Sequence, residues 1–165
     1  MFEIIKLLFD ICLFKRGPQN LPSSLWLLQV LVIVDVIVSF LMASIRTDWF
    51  ASLLQAMVSA LLIVGFSWLM LYMGRKRERF YQTTIALLGT DTLISFIALP
   101  GIASMMIGRG ALLAFIITVV LMIWHWAVTG HIIRFALGQT WTFSLGLAFL
   151  YILGSYQVMA FLNLP

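Results

Sequence analysis

Five runs of about 20 apolar residues, separated by short polar connections, constrain this chain more than any other feature of it. A bilayer core about 30 Å thick is crossed by ~20 helical residues, and a helix satisfies every backbone N–H and C=O within one segment. The runs are expected to be spans at about residues 25–45, 50–73, 83–102, 111–133 and 140–162. Composition agrees, since 63% of the 165 residues are hydrophobic and 10% charged, against roughly a quarter charged in an average soluble domain. The expected fold class is an all-α membrane protein, a bundle of five transmembrane helices preceded by an amphipathic interfacial N-terminal helix. Residues 1–22 make up that helix and its connection, and residues 23–165 the bundle.

In "MFEIIKLLFDICLF" the polar residues Glu3, Lys6 and Asp10 recur at i, i+3 and i+7, one narrow stripe on a helix that otherwise carries Phe2, Ile5, Leu8, Phe9 and Cys12. Such a helix suits the membrane interface and, lacking a cleavage site, is expected to be retained. Ser23 and Ser24 can cap the first span, and "RTDW" ends it. "RKRER" stops the second. Pro100 is expected to kink or end the third, because proline lacks the helix N–H, and "MIGRG" to form a loop.

The net charge of +4 comes from basic residues spread over connections, which reads as topology rather than nucleic-acid binding. With the N-terminus inside, Lys6, Lys15, Arg16, Arg75, Lys76, Arg77, Arg79 and Arg134 face the cytoplasm, and Arg46 and Arg109 lie opposite. The expected location is a bacterial inner (cytoplasmic) membrane, multi-pass, with a cytoplasmic N-terminus and a periplasmic C-terminus. Trp26, Trp49, Tyr72, Tyr81 and Trp141 fall near predicted interfaces, as aromatic anchors do. Trp124 and Trp126 lie inside the fourth span and are expected to fill space. Arg75, Lys76, Arg77 and Arg79 serve as a stop-transfer anchor and can hold anionic lipid headgroups, at about 1 kcal/mol each. Cys12 is the sole cysteine, so the chain has no internal disulfide.

An ionisable group inside a membrane is a functional-site hypothesis by default. Asp35, Asp91 and His125 qualify, and at ~1.5 Å rise per residue Asp91 and His125 fall at one depth, with Asp35 within about one turn. Polar residues at steps of three, four or seven extend each position into a stripe: Asp35 and Ser39; Ser52, Gln55 and Ser59; Thr84, Asp91 and Ser95; Thr118, His125 and Thr129; Ser144, Tyr151 and Ser155. Inward-facing stripes imply a buried polar cluster of Asp35, Asp91, His125 and Tyr151, either a packing network or a proton or substrate path. Asp91 is expected to be neutral or paired with His125. His125 and His131 are six residues apart, about 240° round a helix, so they do not form a metal pair. His131, near the cytoplasmic edge, is expected to be an interfacial or helix-end group beside Arg134.

No metal, cofactor or enzyme motif is present in the sequence, and the chain is expected to be non-enzymatic. Its leading function is then an integral inner-membrane accessory subunit, assembly factor or scaffold of a larger complex, with the lipid bilayer and other membrane subunits as partners. The small residues Ser52, Ala56 and Ala60 form a ridge suited to helix contacts, within the bundle or with such a subunit. The alternative is a small transporter or proton-conducting protein using Asp35, Asp91 and His125. Five spans do not divide into the inverted halves of many transporters.

The stretches "CLFKRGPQNLPSS" and "FYQTTIALLGTDTLISFIALPG", with five spans and an inside N-terminus, resemble bacterial members of the Yip-like superfamily. The resemblance implies a compact five-helix bundle without established catalytic residues. Eukaryotic members are associated with small GTPases and vesicle traffic. This chain lacks their long soluble N-terminal region and their D-L-Y-G-P type motif, so that partnership is not carried over.

Overall fold

A computed structural model describes residues 2–45, 47–107 and 111–162, with residues 105–107 and 111 described by backbone only. The helices are α1 (Phe2–Cys12), α2 (Leu25–Ala43), α3 (Trp49–Met73), α4 (Phe80–Ile107), α5 (Ala111–Leu137) and α6 (Trp141–Leu162), with short 3-10 turns at Pro18–Asn20 and Arg77–Arg79. The five from α2 to α6 are long and apolar enough to cross a membrane. Ser24 accepts from Leu27 N at 3.5 Å and starts α2, as a side-chain oxygen at a helix N-cap does. Gly138, at φ +65°, ends α5 in the left-handed conformation that glycine adopts without steric cost.

Pro100 does not end α4, which runs on to Ile107. The ring lies on the exposed side of the helix, and the second half of α4 continues one turn longer than its apolar pattern indicated. "MIGRG" accordingly begins within α4, and Gly108, Arg109 and Gly110 lie outside the described residues, as does Arg46.

Consecutive long helices run antiparallel, and their packing closes a ring in the order α2, α3, α6, α5, α4. Helix α4 also meets α3 across the ring, which makes it the most enclosed element. The loosest seam lies between α3 and α6. The predicted ridge of Ser52, Ala56 and Ala60 is buried within the bundle. A core of Ile63, Ile85, Leu88, Val128 and Ile132 fills the half of the bundle nearest α1.

Helix α1 packs on α4 and α5 through Leu8, Ile11 and Cys12. A Cβ on Gly89 would stand 2.6 Å from the Leu8 side chain, so glycine is what allows this close approach. The outer side of α1 mixes Glu3 and Lys6 with exposed Phe2, Ile5 and Phe9, while Asp10 is half-buried 3.6 Å from Arg16. Gln82 of α4 donates to Leu21 O at 2.9 Å and ties down the connection that follows. The outer surface of the ring is strongly apolar, with Trp68, Phe96, Leu112, Leu113, Phe149 and Phe161 all exposed.

Candidate functional site

Counted from the α1 end at ~1.5 Å per residue, Asp35, Asp91 and His125 lie about 15–18 Å along α2, α4 and α5. The structure brings Asp91 and His125 together, with His125 Nε2 3.3 Å from Asp91 Oδ1. Asp35 sits beside them, fully buried, and its Oδ1 accepts from Thr92 Oγ1 at 3.0 Å. Its Oδ2 meets no donor among the described residues. The Asp91 carboxyl lies within hydrogen-bonding reach of Asp35. Two carboxyls side by side, with an imidazole against the second, are groups between which a proton can pass.

A cavity of about 380 Å³ leads to this group from the half of the bundle away from α1. Its polar lining is Ser39, Gln55, Ser59, Ser95, Asp91 and His125, supplied by α2, α3, α4 and α5. A second recess of about 170 Å³, which Thr118 helps to line, shares Ser95 and His125 with it. Both Asp91 and His125 retain some exposure towards this space, whereas Asp35 has none. The arrangement is a one-sided polar pit ending on an imidazole–carboxylate pair, with a second carboxyl behind it. Such groups exchange protons, and a chain of hydroxyls and ordered water can relay them. Among the described residues no group of three His, Cys, Asp or Glu side chains is placed to hold a metal ion.

Tyr151 stands at the edge of this cluster. Its ring stacks on Phe66 at 4.3 Å between centroids, and its backbone carbonyl accepts from Ser155 Oγ at 2.5 Å. Thr92 is the contributor that face-by-face reading of the sequence missed. It falls one residue from Asp91 and therefore about 100° away from that stripe.

The charge run separates into two roles. Lys76 Nζ donates to Leu137 O at 2.6 Å, and Arg79 donates to Phe135 O at 2.9 Å and Ala136 O at 3.4 Å. Cations at these carbonyls oppose the negative end of the α5 dipole. Arg75 and Arg77 stay on the surface, the latter 4.0 Å above the Tyr72 ring. His131 is buried against the N-terminal segment: the turn at Phe14 folds over it, Arg16 O lies 2.9 Å from its Nε2, and Phe14, Phe135 and Trp141 surround its ring edge-on. Trp124 and Trp126 do more than fill space, since their indole N–H groups donate to Cys12 O at 3.0 Å and Leu145 O at 2.9 Å. No family model, curated protein or solved structure matches the chain.

Proposed function

We propose that this chain is a multi-pass membrane protein whose Asp35–Asp91–His125 centre takes up protons from one membrane face, as the binding site of a proton or small-solute path. The observation that carries this reading is the polar cavity that ends on the Asp91–His125 pair at mid-bundle. A packing network alone has no need of a recess lined by four polar side chains besides that pair. The exposed apolar surface of α2 to α6 supports membrane placement, since it far exceeds what a water-soluble monomer presents. The positive connections support a cytoplasmic N-terminus in a bacterial inner membrane. The exposed Phe2, Ile5 and Phe9 support an interfacial seat for α1. Kinship with the Yip-like superfamily belongs to this proposal, supported by residues 12–24 and 80–101.

Liposomes holding the purified protein and a pH-sensitive dye test the path under a valinomycin-clamped potassium potential. Proton flux above that of empty liposomes is expected. Replacing the group that exchanges the proton should lower that flux by roughly a hundredfold in Asp91→Asn and His125→Gln. Equal flux in wild type and both variants overturns the reading.

A non-enzymatic accessory or scaffold role is the second reading, and α6 favours it. That helix buries only Ser144 and Ala148 among its described residues, and a Cβ on Gly146 or Gly154 would meet nothing within 4 Å. Small residues on an open helix face let a partner helix approach closely. Gentle extraction should then recover the chain with a stoichiometric membrane partner, whereas recovery as a lone monomer removes this reading.

A further inference from the structure

The loose seam between α3 and α6 opens, at the end of the bundle nearest α1, into a cavity of about 570 Å³. Its walls are Phe66, Leu69, Met70, Met73, Phe143 and Leu147, and its polar members are Lys76 and Gln139. The volume is that of a small-molecule site, and the pairing of a long apolar wall with one cation is the chemistry of an amphiphile with an acidic head. We propose that this groove binds one anionic phospholipid, an acyl chain lying along the seam and the phosphate meeting Lys76. The inference rests on the membrane placement above and is independent of the proton path.

Lys76 is available for this role despite its bond to α5. An ammonium has three protons, and Leu137 O accepts one of them. Arg79, on Phe135 O and Ala136 O, shares the task of opposing the α5 dipole, so two protons of Lys76 remain for another acceptor. Gly138 lines the same mouth, and a Cβ there would stand 2.9 Å from Lys76 Nζ, so the missing side chain leaves the ammonium open to the groove. Arg75 and Arg77 are exposed on the same connection and add positive potential, against one acid, Glu78. The run thus divides its labour: Arg79 caps the helix, and Lys76 both caps and recruits.

Native mass spectrometry of the purified protein, titrated with phosphatidylglycerol or phosphatidylcholine of matched chains, tests the site. Phosphatidylglycerol should be retained in a one-to-one complex about fivefold better than phosphatidylcholine, the difference one basic group near a lipid phosphate provides. Lys76→Gln should abolish that preference. Because Lys76 also caps α5, a second variant, Leu69→Trp, fills the groove from an exposed position without touching the cap, and should reduce retention of both lipids. Millimolar inorganic phosphate should leave the complex intact. Equal retention of the two lipids by wild type, unchanged retention in Leu69→Trp, displacement by inorganic phosphate, or a lipid-insensitive dimer occupying the seam would each overturn the proposal. None of these readouts depends on proton flux.

Discussion

Asp35 holds one carboxylate oxygen in a hydrogen bond and leaves the other without a donor among the described residues, in a fully buried position. That imbalance is informative, because a buried polar atom left unpaired costs about 1–3 kcal/mol. Thr92→Val strips the remaining donor and should lower the thermal midpoint in detergent, with a cost of about 1 kcal/mol as for other hydrogen bonds between membrane helices. Asp35→Asn replaces one oxygen by an amide donor facing the second carboxyl and should keep or raise that midpoint. A melt in which both variants match wild type would mean that neither the Thr92 bond nor the neighbouring carboxyl bears on stability. The pairing of Asp91 with His125 was legible in the sequence, because residue count fixes depth along a helix. Thr92 was not, because stripe arithmetic assumes that each helix turns one polar face inward. Helix α4 is enclosed on several sides, so its polar residues serve different neighbours: Thr84 bonds Ser67 of α3 at 2.7 Å, Asp91 meets α5 and Thr92 meets α2.

Elements differ in how firmly they are held, and α1 offers a direct probe. Burial pushes the Cys12 thiol up to about 12, so at pH 8 it is protonated and lacks the thiolate that attacks maleimides. Wild-type protein should therefore label slowly at pH 8 and fully after denaturation. Gly89→Leu drives a side chain into the space of Leu8 and should free α1, exposing Cys12 to rapid labelling without unfolding α2 to α6. Equal labelling of variant and wild type would mean that α1 docks without this contact. The existence of α2 to α6 was readable from apolar length alone. The extent of α4 was not, because proline's penalty is local and an exposed ring clashes with nothing beyond its own preceding turn.

For the whole molecule, five antiparallel helices place the two termini of the bundle at opposite ends. Under the proposed orientation, alkaline phosphatase fused after α6 should be active in the periplasm, and the same reporter inserted at Arg77 should be silent. The reverse pattern would invert the orientation. Charge bias gives that expectation, whereas the ring order and the α3–α6 seam depend on side-chain shape and lay beyond any pattern in the sequence.

The one-sided pit also has an electrical meaning. A recess that admits water and ions on one side is nearly equipotential with that compartment, so most of a transmembrane voltage would fall across the packed half formed by Ile63, Leu88 and Val128. A proton reaching Asp91 would then have travelled half the thickness of the bundle but little of the electric field. The remaining journey would carry nearly all of the ~2.3 kcal/mol per 100 mV that a full crossing involves. In a chain built this way, the greasy half of the bundle is the voltage-sensitive element, although Asp35, Asp91 and His125 all lie at its inner edge.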